Sequence, residues 1–221
     1  MEGALRPVED LEQATAGFDP VATLRGRARH APLARKVDGL IGLLRGVVWR
    51  YANRVRGRRI RGGAWLRVYG HAYVGGQGTL VLGRGVVLTG VAIRQVSLFT
   101  QTAEAEIRLD DNVTLNGTAV AAQALVHFER DAIAADAYIV DSSMHRLTAD
   151  RRDPTLPLPP AQPVVIRRNA WISTAVVVLK GVEIGENSVV AACSLVRDSV
   201  PPNVLAAGNP CVAIKPLPGT R

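Results

Sequence analysis

The sequence has little cysteine, few aromatics and no long apolar run, and each shortage excludes something. Two cysteines, Cys193 and Cys211, supply no disulfide framework, so a pair of reduced thiols is expected. Aromatic residues make up 5% of the chain, too few for an aromatic-rich sandwich core. Gly, Ala and Val recur throughout instead, as a stack of many similar small-residue layers would require. No apolar run approaches the length of a membrane span. The opening MEGALRPVEDLEQA lacks the basic-then-apolar order of a secretory signal. A cytoplasmic protein is expected, with peripheral contact at the inner membrane face left open.

Acidic residues are also in deficit. The formal net charge is +8, and much of the excess lies between Arg25 and Arg61. That stretch has neither interleaved aromatics for base stacking nor zinc-ligand spacing, which argues against nucleic acid as a partner. A solvated basic face or an anionic surface remains.

Residues 1–24 mix charge, Gly and Pro and read as a lead-in. From Leu33 the apolar residues Val37, Leu40, Ile41, Leu44, Val48, Tyr51 and Val55 recur at helical spacing, with Arg35, Lys36, Arg45, Arg50, Arg54 and Arg56 largely off that stripe. This predicts a basic amphipathic helix, weakened by Gly39, Gly42 and Gly46. Its apolar stripe would pack against the end or flank of the main domain, or touch an anionic lipid surface.

After Gly62 and Gly63 the period becomes six. Val68, Val74, Leu80, Val86, Ala92 and Leu98 form one series, and Leu109, Leu115, Ala121, His127, Ile133 and Ile139 a second. Ile166, Ile172, Val178, Ile184, Val190 and Val196 form a third, with no exception. Neither a helix nor a simple strand sustains that period; an internal repeat does. A period of six suits a triangular coil with one inward aliphatic side chain per face. Three faces make about 18 residues, so Ile166 should stack on Ile184, Ile172 on Val190 and Val178 on Val196, with parallel strands about 4.8 Å apart. The frame slips near 100–106 and after His145. The second slip, 146–165, carries Asp150, Arg151, Arg152, Asp153 and a proline-rich run, which predicts a long loop leaving the prism.

The stretch 166–215 resembles the maltose, galactoside and exopolysaccharide O-acetyltransferases. The resemblance rests on Asn169-Ala170-Trp171-Ile172, Leu179-Lys180-Gly181-Val182-Glu183-Ile184-Gly185, Val189 to Val196, and Ala207-Gly208-Asn209-Pro210. Ile139-Val140-Asp141-Ser142-Ser143-Met144-His145 is similar to the segment that ends in that family's catalytic histidine. Arg167-Arg168, Ser173, Cys193 and Cys211 depart from the pattern. The resemblance implies an all-β, left-handed parallel β-helix, here occupying residues 62–215 with an inserted loop at 146–165. Residues 1–61 then form the lead-in and helix, and 216–221 a C-terminal tail. Period alone does not fix the hand.

What the resemblance implies about function is an acetyl-CoA-dependent O-acetyltransferase acting on a hydroxyl of a sugar or glycan precursor, as a homotrimer with sites between subunits. A histidine near neutral pKa suits removal of a hydroxyl proton. His145 is the implied base, and Asp141 would orient it or bind an acceptor hydroxyl. Coenzyme A would lie against Trp171, Ser173, Ala191, Ala192 and Ser194, with Arg197 and Lys215 near its phosphates. Trp171 has an equal claim to be a wall of the trimer or of the prism. No metal is expected: His30, His71, His127 and His145 lack the close pair that a three-histidine zinc site needs. The alternatives are a non-catalytic trimeric scaffold, another acyl donor such as an acyl carrier protein, or a non-sugar acceptor.

Overall fold

The computed structural model describes residues 33–218, apart from 91–93, 144, 147, 151, 154 and 158. The expected lead-in of residues 1–24, Ala92 of the first hexad series, Met144 and the last three residues of the tail lie outside the described residues. The chain divides into two compact units, Met1–Leu40 and Ile41–Arg221. Among the described residues of the first, Val37 and Leu40 are exposed on the opening turns of helix α1 (Leu33–Val55).

The second unit is a three-sided coil of short strands. One sheet stacks β1 (Arg59–Gly62), β4 (Thr79–Leu82), β7 (Glu106–Leu109), β10 (Leu125–Phe128), β13 (Val164–Ile166) and β16 (Glu183–Ile184). The second stacks β2 (Arg67–Gly70), β5 (Val87–Gly90), β8 (Thr114–Asn116), β11 (Ile133–Ala135), β14 (Trp171–Ile172), β17 (Val189–Val190), β19 (Val204–Gly208) and β20 (Cys211–Pro216). The third holds β3 (Ala72–Gly76), β6 (Val96–Thr100), β9 (Ala119–Ala122), β12 (Tyr138–Val140), β15 (Val177–Val178) and β18 (Leu195–Val196). The chain visits the three sheets in turn, and these pairings are parallel except the closing β19–β20 hairpin. One or two side chains per strand point inward, giving buried columns such as Leu88, Leu115, Ala134, Ile172, Val190 and Ala206. Each layer buries its aliphatic side chains against the next, while the ladders satisfy the backbone coil by coil.

The 18-residue register holds where it was expected: Ile166 pairs with Ile184, Ile172 with Val190 and Val178 with Val196. Earlier coils are longer, as where Val126 pairs with Val164 across the long excursion. The second hexad series needs correction. His127 and Ile133 point outward, and Phe128 and Ala134 fill the interior at 0% exposure. The corner between Leu115 and Val120 is one residue short, and a one-residue slip reverses which alternate side chains face in. One corner is held by residues in the left-handed region, including Asn112, Asp131, Asn169, Asn187 and Asn203, a conformation that Asn and Asp tolerate. Their side chains bond coil to coil, Asn169 Nδ2 to Asn187 Oδ1 at 3.0 Å and Asn187 Nδ2 to Asn203 Oδ1 at 2.8 Å.

β1 already carries the ladder ahead of residue 62, with Ile60 paired to Leu80. The excursion ends before Val164, so Val165 is already in a strand. The helix is present as expected, but residues 41–55 pack by the opposite face. Gly42, Gly46 and Asn53 are buried, while Ile41, Leu44, Val48, Tyr51 and Val55 are exposed. The reason is close approach: a Cβ on Gly46 would stand 2.0 Å from the Leu66 carbonyl oxygen, and one on Gly42 2.6 Å from the Tyr69 ring. Polar anchors reach carbonyls of the first coil. Trp49 Nε1 donates to Ala72 (2.6 Å), Arg45 to Gly70 (3.1 Å), and Arg50 to Gly62 (2.9 Å) and Gly63 (2.8 Å). Because β1, β2 and β3 are the sheets' edge strands, these residues of the helix cap the open end of the coil.

Candidate functional site

At the end of β12 the chain should turn one corner from the third sheet into the first, yet β13 begins only at Val164. The excursion between them carries His145, which is exposed and whose backbone N–H donates to the Ser143 carbonyl at 2.7 Å. Its base is clamped. The Gln162 N–H donates to the Asp141 carbonyl at 2.8 Å, and the Gly181 N–H of the next coil donates to the Gln162 carbonyl at 3.0 Å. Within the loop, Arg146 Nε donates to the Leu156 carbonyl, and Asp153 Oδ1 accepts the Thr155 N–H and hydroxyl at 2.8 and 2.6 Å. Those Thr155 hydrogen bonds hold the Asp153 carboxyl below its usual range.

Asp141 has partners other than the expected imidazole or acceptor hydroxyl. It is fully buried, and its carboxylate accepts three backbone N–H groups: Gln123 at 2.7 Å, Ala124 at 2.7 Å and Leu125 at 2.8 Å. In a regular coil the next layer's carbonyls serve such donors. Here the chain leaves the prism, and the carboxylate replaces them, using three of its roughly four acceptor positions. Asp141 therefore fastens the root of the loop four residues before His145. Its neighbour Ser142 is buried with its hydroxyl unpartnered among the described residues.

The residues expected along coenzyme A divide between two corners. Ser173 follows β14, and Ala191 and Ala192 follow β17, at the corner between the second and third sheets. They stack there through the Ser173 N–H to the Val190 carbonyl (3.0 Å) and the Ala191 N–H to the Ala206 carbonyl (2.9 Å). Trp171 lies beside them, 47% exposed, on the outer face of the second sheet in register with Ile133 and Val189. Ser194 is at that corner too, but its hydroxyl is buried. It donates to the Ala191 carbonyl and accepts the Gly208 N–H, so it braces the corner from inside. Arg197 follows β18 at the other corner, the one that carries His145, and pairs with Asp198 at 3.2 Å. Lys215 is exposed on β20 opposite Leu205. His145 and the Ser173–Ala191 column thus sit on different edges of the prism.

Sequence reasoning missed an ion-pair cluster. Arg167 bridges Glu129 at 2.7 Å and Glu183 at 2.8 Å, which lowers the Glu183 carboxyl and raises the guanidinium. The clue is the pairing of Phe128 with Ile166, which sets Glu129 beside Arg167 but is hidden by the long excursion. With Nε2 protonated, His127 donates a 3.0 Å bond to the Asp110 carboxylate on the first sheet's outer face. Among the described residues no three His, Cys, Asp or Glu side chains gather as a metal cluster.

Residues 163–198 match the bacterial transferase hexapeptide (six repeats) family. The chain is 49% identical over 55 residues to the galactoside O-acetyltransferase of Escherichia coli (strain K12), covering 25% of this chain and 27% of that one. Against the galactoside O-acetyltransferase of Lactococcus lactis subsp. lactis (strain IL1403) it is 51% identical over 49 residues, 22% of this chain and 24% of the relative. The chain thus spans under a third of the length of these relatives. Among solved structures, a variant of AntD, an N-acyltransferase from Bacillus cereus, in complex with dTDP-4-amino-4,6-dideoxyglucose and coenzyme A superposes with a TM-score of 0.60. That likeness covers 76% of this chain and 88% of that one at 16% identity, and it shows the fold alone. The coils form the parallel β-solenoid that the resemblance implied.

Proposed function

We propose that this hexapeptide-repeat β-helix protein, which resembles the galactoside and maltose O-acetyltransferases, transfers an acetyl group from acetyl-CoA to a hydroxyl of a sugar or glycan precursor. The observation that carries the reading is an exposed histidine on a loop rooted in the coil at both ends, its far end tied to Gly181 within the matching repeat.

In the proposed reaction the acceptor hydroxyl oxygen attacks the thioester carbonyl carbon as His145 takes the hydroxyl proton. The tetrahedral intermediate collapses with cleavage of the carbon–sulfur bond, and the imidazolium returns the proton to the leaving thiolate. The products are the ester and free coenzyme A. No acyl-enzyme forms, and Cys193 is not a nucleophile. The donor would lie along the corner of Ser173, Ala191 and Ala192 beside Trp171. Because His145 belongs to a different edge, the reading favours a homotrimer in which one subunit's histidine meets its neighbour's donor corner. A cytoplasmic setting, where acetyl-CoA is available, belongs to the same proposal.

The test is acceptor-dependent release of coenzyme A over a panel of sugars, amino sugars and non-sugar alcohols, comparing wild type with His145→Ala. Loss of most turnover in a variant of unchanged oligomeric state supports the base assignment. Unchanged turnover removes His145 from the chemistry. Turnover confined to amines would replace O-acyl by N-acyl transfer.

A further inference from the structure

The part of α1 that caps the coil presents two faces of opposite character. Positions 42, 46, 49 and 53 meet the first coil, while 41, 44, 48, 51 and 55 lie on the opposite side of the helix, at the spacing of a single stripe. Ile41 is 46% exposed, Leu44 60%, Val48 66%, Tyr51 72% and Val55 71%, with Val47 at 57% widening the stripe. A helix that only needed to cap the coil would carry polar residues there. The glycines and arginine anchors already complete the capping face, so the stripe contributes nothing to it.

The charge around the stripe identifies its occupant. Residues 41–61 contain seven arginines and no carboxylate. Arg45 lies to one side of the stripe and Arg50 and Arg54 to the other, their guanidinium groups reaching back to first-coil carbonyls. Arg56 and Arg61 are exposed just beyond the helix. An apolar stripe edged by cations, with no anion on the same segment, is the pattern of a helix lying in the interface of an anionic bilayer. The same segment of a second copy would instead bring seven more arginines against these, a like-charge meeting that favours the lipid.

We propose that residues 41–55 dock the protein on an anionic phospholipid surface, the stripe entering the headgroup layer while the β-helix stands away from the membrane on the opposite face of the helix. The inference is independent of the acyltransferase reading.

The test is co-sedimentation of the full chain with vesicles of phosphatidylcholine alone or phosphatidylcholine with phosphatidylglycerol. The measurement is repeated at high salt and with the double variant Leu44→Asp, Val48→Asp. Both positions are exposed, and a thermal melt checks that the variant stays folded. Light scattering without vesicles gives the oligomeric state of both proteins. The expected result is binding to the anionic vesicles about tenfold above the neutral ones, weakened by salt and lost in the variant at unchanged oligomeric state. Absence of wild-type binding, or equal binding by the variant, overturns the proposal. A smaller oligomer in the variant also overturns it, because the stripe is then covered by another subunit.

Discussion

The Asp141 carbonyl accepts the Gln162 N–H at 2.8 Å, so the residue that begins the excursion and one that ends it are tied directly together. The same Asp141 sends its carboxylate into the coil below, onto the N–H groups of Gln123, Ala124 and Leu125. His145 therefore stands on a loop whose base is as fixed as the prism.

Asp141→Asn replaces one acceptor oxygen with a donor facing buried N–H groups. The expected loss is about 1–3 kcal/mol of stability, read as a lower midpoint in thermal unfolding. His145→Ala, at an exposed position, should leave the midpoint nearly unchanged. Equal midpoints for Asp141→Asn and wild type would show that the three hydrogen bonds contribute little.

Gly46→Ala should loosen the cap. The added Cβ would meet the Leu66 carbonyl oxygen at 2.0 Å, so the helix must move off the first coil. We expect a cost of about 1–3 kcal/mol and faster hydrogen exchange at Trp49. Gly39→Ala, with nothing within 4 Å of its Cβ, should be neutral or slightly stabilising.

Cys193 has φ near +61°, a conformation that costs an ordinary side chain about 1–2 kcal/mol. Cys193→Gly removes that cost, partly offset by glycine's greater freedom when unfolded. A net gain of roughly 0.5–1 kcal/mol is expected, and a lower melting temperature would contradict it.

The two thiols should differ in reactivity. Cys193 is exposed, whereas Cys211 is buried, and that burial pushes its thiol up despite an opposing hydrogen bond with Ser194. At mildly alkaline pH a thiol reagent should consume one cysteine rapidly and the second only on unfolding. Because the folded-state value of Cys211 is raised, its contribution favours the native state at lower pH and fades as pH rises past the usual thiol range.

The Arg167 cluster should matter toward acid. Glu183 is held below its usual range chiefly by its hydrogen bond to Arg167. Its contribution is present above the unfolded carboxylate value and disappears as pH falls through the folded one. Both groups are more than a third exposed, so screening limits the effect to under about 1 kcal/mol. Thermal melts of Glu183→Gln and wild type should differ slightly at neutral pH, converge in acid, and converge in high salt.

Much of this was legible in the residues. The unbroken hexads from Ile166 to Val196 fixed coil, register and the stacking of Ile166 on Ile184, because a side-chain period of six has one economical three-sided solution. The resemblance of the segment ending at His145 marked the histidine, and the prolines after it marked the excursion. The chain itself does not say how long an irregular corner is. One missing residue between Leu115 and Val120 turned His127 and Ile133 outward and put Phe128 and Ala134 inside. Nor does apolar spacing reveal which helix face is used, since the glycines at 42 and 46 win by allowing close backbone approach that the larger stripe residues forbid. Only the folded coil brought Asp141 within reach of the turn beneath it, and only the order of the three sheets set His145 and the Ser173–Ala191 column on separate edges.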